Sequence, residues 1–328
     1  MSTVKECPAI KVRPFERTDE DYEAFIRVYS AHFPEYPTTV GERRHWDDTR
    51  SKKYPFHRDM IELDGAVIGY GVYGQSPWAY HPKKFYFEVY VHPDNGRRGI
   101  GTAYLQHVIA TLADRRLIGV TAGTREDKIA GVEFLAKHGF TQTMRCPRSH
   151  LQLDEFDVSR FEGLRKKVTD QGLRVVTLRE LSASDPDWKR KSYELNWEII
   201  QDVPTTDPQE KQEFETYAKQ TLGDPNMLFD GWFVALDGDR YVGMTNLWAN
   251  QTSKEMLFIE MTGTTRSHRR RGIATALKVY AAVYARKYGA KIIETDNEES
   301  NPMYQINMRL GFKPQPAWLE FEKTLGTE

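Results

Sequence analysis

The stretch "HRRRGIATAL" at 268–277 sets three arginines before a glycine and a run of small and apolar residues, and "NGRRGIGTAYL" at 95–105 repeats the device. Gly99 and Gly272 lie 173 positions apart, and other features recur at nearly that spacing, the signature of an internal repeat. "KHGFTQT" around Gly139 matches "RLGFKPQ" around Gly311, and "ELDGAVIGYGVY" from Glu62 matches "ALDGDRYVGMTNL" from Ala235. The second pair reads as strand, Asp-Gly turn, strand, which is a hairpin signal. "EYPTT" at Glu35 and "DVPTT" at Asp202 also correspond. The chain is a duplicated unit.

Each copy predicts the same order of elements. An opening strand ("IKVRPF", "LRVVTL") leads to a helical region that ends in the Pro-Thr-Thr loop. The hairpin follows, then an apolar strand ("KFYFEVYVH", "EMLFIEMTGT"), then the glycine turn. After the turn Ile273, Leu277, Tyr280 and Tyr284 share one face at helical spacing, as do Tyr104, Leu105, Val108, Ile109 and Leu112 in the first copy. Another strand, a short helix ending at Gly-Phe and a last strand ("SHLQLDE", "AWLEFEK") close each copy. The expected fold class is α+β: two domains in tandem, each a mixed, mostly antiparallel sheet with helices on both faces. Residues 1–155 and 173–328 are the expected domains, joined by a charged linker at 156–172 that forms a short helix.

Composition narrows the function. At 328 residues both copies are long enough to own a core. Forty-six basic residues against forty-seven acidic ones leave nothing in the bulk charge that calls for nucleic acid or an anionic membrane, and this weighs against reading the basic runs at Arg269–Arg271 and Arg165–Lys167 as nucleic-acid patches. Two cysteines, Cys7 and Cys146, make neither a disulfide framework nor a four-ligand zinc site, and no metal site is expected. The N-terminus lacks the apolar core of a signal peptide, so a cytoplasmic protein with no membrane partner is expected.

A strand that ends in a glycine turn and opens a helix leaves backbone N–H groups unpaired at the positive end of the helix dipole, where a phosphate fits. Gly272 and Ala274 are small enough to let it approach, Thr275 adds a hydroxyl, and Arg269, Arg270 and Arg271 add charge. The turn alone is equally readable as a helix start with a solvated basic flank. The Rossmann fingerprint and the Walker A lysine motif are both absent.

The order strand, Arg-x-x-Gly-x-Ala, amphipathic helix, strand, short helix, Leu-Gly-Phe resembles the GNAT superfamily of N-acetyltransferases, and the duplication resembles its tandem-domain members. The resemblance spans nearly the whole chain. It implies acetyl-CoA as cosubstrate, with its pyrophosphate on the turn, its pantetheine arm between two splayed strands, and a small amine as the second substrate. The residues it marks for the cosubstrate in the second copy are Thr262, Gly263, Thr264, Arg269, Arg270, Arg271, Gly272, Ile273, Ala274, Thr275, Asn297, Asn301 and Asn307. Family members place a catalytic tyrosine where Asn307 stands, so the resemblance marks Asn307 as a catalytic candidate too, one that can donate a hydrogen bond but cannot protonate a thiolate. Tyr304, one helical turn earlier, is the nearest phenol for the general acid, or else a pocket-wall tyrosine.

In the first copy Arg97, Arg98, Gly99, Ile100, Gly101 and Thr102 keep a second phosphate-sized turn, but Gly96 stands where the family has an arginine or glutamine. Lys128 and Leu135 replace the downstream asparagines there. The second copy is therefore expected to carry the chemistry, and the first to be a degenerate companion. Glu260 lies in the strand before the turn, where partial desolvation raises a carboxylate toward neutrality; it reads as a general base or as an anchoring carboxylate. Counting back from the glycine sets Phe87 at its position in the first copy and turns Glu88 to the other face. Backbone N–H groups from Met261 to Gly263 are candidates to polarise the thioester carbonyl, with Gly263 marking a bulge. Trp197 and Asp202 sit where the family shapes its acceptor pocket; Asp202 either attracts a cationic amine or is simply solvated. His92 and His268 are expected to be exposed. A non-catalytic acyl-CoA sensor or scaffold is the competing function, and a monomeric pseudo-dimer or a homodimer are both open as assemblies.

Overall fold

The computed structural model describes residues 8–326; Cys7 lies outside them. The first half contains β1 (Lys11–Pro14), α1 (Asp19–His32), α2 (Val40–Thr49), β2 (Phe56–Leu63), β3 (Ala66–Gly74), β4 (Lys84–Val91), α3 (Ile100–Thr111), β5 (Gly119–Arg125), α4 (Ile129–Lys137) and β6 (Thr141–Gln152). Then follow α5 (Glu162–Thr169), β7 (Leu173–Thr177), α6 (Leu178–Ser184), α7 (Trp188–Ile200), α8 (Phe214–Gln220), β8 (Phe233–Asp237), β9 (Arg240–Trp248) and β10 (Met256–Thr264). The chain ends with α9 (Ile273–Tyr288), β11 (Ile292–Asp296), α10 (Pro302–Leu310) and β12 (Lys313–Thr324).

The compact units are not the two linear halves. Unit 1 comprises residues up to Arg145 together with Thr205–Glu210 and the chain from Trp318 on; unit 2 comprises Cys146–Pro204 and Lys211–Ala317. In unit 1 the sheet runs β1-β2-β3-β4-β5 and is completed by the end of β12, where Trp318–Thr324 pair antiparallel with Arg125–Gly119. In unit 2 it runs β7-β8-β9-β10-β11 and is completed by the end of β6, where Arg148–Gln152 pair with Asp296–Ile292. The last strands are thus exchanged: each sheet is closed by the strand that the sequence assigns to the other copy. Both last strands follow the same Gly-Phe helix end and carry similar alternation, so a sheet edge accepts either one. The β4–β5 and β10–β11 pairs are parallel.

Unit 2 buries both faces of its sheet because its strands alternate apolar side chains to each side. Phe233 and Ala235 of β8 join Leu257 and Ile259 of β10 under α9, whose Ile273, Ala276 and Leu277 are almost fully buried. Val234 and Leu236 join Met244 and Met261 on the other face, under α6, α7 and α8. Helix α5, expected as a linker, packs in unit 2 beside the start of α9: a Cβ added to Gly272 would meet Leu164 at 2.8 Å. Segment 205–210, which continues the second Pro-Thr-Thr loop, belongs to unit 1. There Lys84 bonds Asp207 at 3.0 Å and the Tyr54 hydroxyl donates to Glu210 at 2.6 Å. In the first copy the matching loop instead caps α2, with Thr39 and Glu42 forming a reciprocal capping box.

Candidate functional site

The two glycine turns have nearly the same backbone. Arg97 and Gly99 take φ of 59° and 82°, and Arg270 and Gly272 take 61° and 84°. This left-handed stretch is tolerated by glycine and strained at arginine, and in both units it aims the start of the following helix at open backbone. Neither helix has a side-chain cap. The first helical bonds are donated by Ala103 and Ala276, which leaves the N–H groups of Ile100, Gly101 and Thr102, and of Ile273, Ala274 and Thr275, as donors for an anion. Each unit thus presents three backbone N–H groups at an uncapped helix start, a geometry that can accept an anion.

The arginines around the cradles are differently engaged. In unit 2 Asp202 holds both Arg266, at 2.8 Å, and Arg269. Arg266 is the first cause of the lowered pKa of Asp202. Arg271 donates to Gln171 at 2.9 Å, and Arg270 is exposed. In unit 1 Arg97 pairs with Glu133 and Arg98 donates to Asn95. Asp202 is thus already occupied by the turn's own cations, not presented as a bare carboxylate. His268, expected at the surface, is 7% exposed; its ring nitrogens bond Thr265 at 3.0 Å and Asp237 at 3.0 Å, pinning the loop into the turn. His92 is partly exposed beside Asp94.

Strand β10 prepares the rest of the site. Its pairing with β9 shifts register between Ile259 and Thr262, which is a β-bulge. Ile259 faces α9, whereas Met261 joins the core under α7, so the bulge turns Glu260 and Met261 toward the same face. The parallel pairing with β11 ends at Phe258 and Glu294, so from there on one edge of β10 is open. Thr262 shares a hydroxyl bond of 2.7 Å with Thr245. The bulge sits one turn of the pleat before Gly263, not at it. The glycine serves close packing instead, since a Cβ there would lie 2.2 Å from Ile199 of α7.

Asn246 locks the bulge, and its role was not read from the sequence. It is 1% exposed; its carbonyl accepts the Met261 N–H at 2.8 Å and its amide donates to Glu260 at 3.2 Å. The Met261 N–H is therefore already committed, which removes it from the expected carbonyl-polarising donors. Glu260 itself keeps contact with solvent, yet protein crowds around its carboxylate. That desolvation pushes its pKa up to about 7, against the opposing Asn246 bond and with added repulsion from Asp224. A plain Asn at 246 gives no motif in the sequence; only the bulge makes it matter.

The same register overturns the expected match between the copies. Four residues after the first parallel pair, Lys84 with Gly119 and Met256 with Ile292, stand Glu88 and Glu260. Strand β4 pairs with β3 without a shift, and Glu88 lies opposite Val72. The residue inserted by the bulge in β10 misaligns any count made backward from the glycine, so Glu88, not Phe87, is the counterpart of Glu260.

On α10, Asn301 is the N-cap and accepts from the Met303 N–H at 2.9 Å. Asn307 is fully buried and donates to Asn297 at 2.6 Å, so it cannot touch a ligand directly; it fixes Asn297 at the end of β11. Tyr304 is half-buried on the same helix, and Trp197 is half-buried on α7. Cys146 forms no disulfide, and among the described residues no cluster of three or more His, Cys, Asp or Glu side chains is arranged to hold a metal ion. Among them, too, no helix is long and apolar enough to cross a membrane.

The sequence profile of the Acetyltransferase (GNAT) family matches residues 19–140 and 191–312. No curated protein matches the chain. Among solved structures it is similar to a tandem GNAT protein from the clavulanic acid biosynthesis pathway, with a TM-score of 0.75 and 18% identity over 98% of this chain and 100% of that one. It is also similar to a GCN5-related N-acetyltransferase from Sphaerobacter thermophilus, with a TM-score of 0.65 and 19% identity over 97% of each chain. A glucosamine N-acetyltransferase region of a fungal multi-domain GH3 beta-N-acetylglucosaminidase gives a TM-score of 0.69 at 14% identity, over 96% of this chain and 38% of that one. At these identities the likeness speaks to the fold.

Proposed function

Because the chain belongs to the acetyltransferase (GNAT) family, we propose that unit 2 moves an acetyl group from acetyl-CoA directly to the amine of a small molecule while both are bound. The observation that carries this reading is the position of Glu260, an exposed carboxylate held by Asn246 on the bulge of β10 where the strand's edge opens; crowding by protein pushes its pKa up to about 7. Bound acetyl-CoA supplies the acetyl thioester; the remaining tasks fall to the chain. The N–H groups of Ile273, Ala274 and Thr275 with Arg269, Arg270 and Arg271 hold the pyrophosphate. Thr262, Gly263, Thr264, Asn297 and Asn301 line the open edge along which the pantetheine arm lies. Holding both substrates in one geometry supplies much of the rate.

An alkyl amine has a pKa of about 10.4, so at neutral pH it arrives protonated. Glu260 removes that proton, directly or through water, because its own pKa lies near the operating pH. Tyr304 is the proton donor for the leaving thiolate. Trp197 shapes the acceptor side, and Asp202 controls the turn arginines. Unit 1 keeps the phosphate turn but lacks the bulge and the asparagines of α10, which supports a companion role for it.

Titration calorimetry with acetyl-CoA should give one site per chain that is lost in the Arg269→Ala/Gly272→Val variant; undiminished binding in that variant would sink the assignment. Thiol release across a panel of amines then tests turnover, and kcat/KM should climb with pH through about 7 as Glu260 ionises. Glu260→Gln should lose that limb and about 10²–10⁴-fold in rate. Tight binding with no thiol release on any amine would instead favour a non-catalytic acyl-CoA sensor.

A further inference from the structure

Unit 1 contains a cavity of about 170 Å³ lined by Phe15, Arg17, Asp47, Arg50, Phe56 and Arg58, none of them on β4, on β5 or in a glycine turn. The chain after β1 supplies Phe15 and Arg17, the end of α2 supplies Asp47 and its C-cap Arg50, and the start of β2 supplies Phe56 and Arg58. Its buried side is an ion pair. Arg58 donates from both terminal nitrogens to Asp47, at 2.9 and 3.2 Å, and each of the two side chains is 6% exposed. The Tyr22 hydroxyl donates to the same carboxylate at 2.8 Å. Phe15 and Phe56 flank the pair, with the Arg58 guanidinium 4.7 Å from one ring centre and 5.3 Å from the other.

The three cations of this cavity are unequally satisfied. Arg58 has Asp47, and Arg17, at the exposed rim, pairs with Asp48 and donates to the Tyr22 hydroxyl at 3.4 Å. The half-buried side chain of Arg50 makes neither a hydrogen bond nor an ion pair among the described residues. Its guanidinium lies 4.0 Å from the centre of the Phe56 ring instead. Burial, first of all, lowers the pKa of Arg50; Tyr86 and Asp47 oppose this from a distance, and the cations Arg58 and Arg17 add to it. Asp47 already holds three donors from Arg58 and Tyr22 and does not reach Arg50. A crowded guanidinium without an oxygen partner costs free energy, and contact with a ring offsets only part of that cost.

We propose that this cavity of unit 1 binds a small aromatic carboxylate, with the carboxylate on the guanidinium of Arg50 and the ring against Phe15 and Phe56. A planar guanidinium matches a carboxylate with two parallel bonds. An apolar cavity of about 150 Å³ takes a benzene molecule, so the volume here suits one ring and its charged substituent. Rings meeting edge to face with Phe15 and Phe56 add to the burial of apolar surface. One negative charge fits the lining, since Arg50 is the unpaired cation of the three and Asp47 repels a second anionic group. The site stands independently of acetyl transfer, because all its residues belong to unit 1, whereas Glu260 and the turn at Gly272 belong to unit 2.

The test is calorimetric titration of the full chain, without acetyl-CoA, with benzoate, beside benzamide, which keeps the ring without the charge, and acetate, which keeps the charge without the ring. Benzoate should saturate one site per chain, with both controls weaker by at least about tenfold, or ~1.4 kcal/mol. Arg50→Gln should bring benzoate down to the level of benzamide, and because Arg50 holds no polar partner this variant should melt where the parent chain does. Arg50→Lys, which keeps the stem and the charge but not the paired donors, should weaken benzoate and leave benzamide unchanged. The Arg269→Ala/Gly272→Val variant should bind benzoate as the parent chain does, which separates this site from the one for acetyl-CoA. The proposal is overturned if benzoate does not saturate, if either control binds as tightly, or if either Arg50 variant keeps the full preference for benzoate over benzamide.

Discussion

Unit 1 and unit 2 share the glycine turn almost angle for angle and a glutamate at the same strand position, yet they differ in one inserted residue. In β10 the insertion makes a bulge, Asn246 fills it, and Glu260 is held there with its carboxylate exposed. In β4 the ladder is regular, and Glu88 lies opposite an apolar Val72 and near Tyr70, Tyr86 and Tyr90. The duplicated copies thus differ in the register of one strand while the glycine turn keeps its backbone. The helix after the turn diverges too: Leu105 of unit 1 is matched by Lys278 of unit 2, both buried to within 2%.

The exchanged strands offer the strongest way to break this comparison. Truncation after Gln315 should strip Trp318–Thr324 from β5 and unfold unit 1 first, seen as lost amide-exchange protection in β5 with β10 retained. Loss of protection in unit 2 alone would mean that each copy closes its own sheet. Next in size is Asn246→Ala, which orphans the Met261 N–H and frees Glu260. It should cost about 1–3 kcal/mol in a denaturant titration. It should also move the rate limb to higher pH, because the lost bond is one that lowers the Glu260 pKa.

Lys278 sharpens the contrast with Leu105. Its Nζ has no hydrogen-bond partner, and desolvation lowers its pKa from 10.5 to about 7, with Asp296 opposing. Between those values the unfolded chain holds the extra proton, so stability rises with pH from about 7 to 10.5 and is flat below. Lys278→Leu should abolish that rise and add a few degrees, ~2–4 °C, to Tm at neutral pH. A thermal-melt series across pH that keeps its slope in the variant would assign the slope elsewhere. The smallest effect is expected for Asp202→Asn, which releases Arg266 and Arg269 from an exposed ion pair. A gain in acetyl-CoA affinity of up to about fivefold, within ~1 kcal/mol, should follow; weaker binding would mean that Asp202 positions those arginines for the phosphate.

The sequence by itself determined the duplication, the element order, the mixed sheet class and both glycine turns. These rest on short-range rules: helical spacing after Gly272, the Asp-Gly hairpins, and a glycine where φ is positive. It also singled out Glu260, since a lone carboxylate in an apolar strand is visible as such. Tertiary structure alone decided which sheet each last strand joins, because two similar strands compete for two similar edges and local pattern cannot choose between them. It alone matched Glu260 to Glu88 and made Asn246 its holder, because a bulge is written in the pairing with a neighbouring strand rather than in the strand itself. Asn307 and His268 were misplaced for a related reason: how deeply a polar side chain is buried depends on partners, Asn297 and Asp237, that lie elsewhere along the chain.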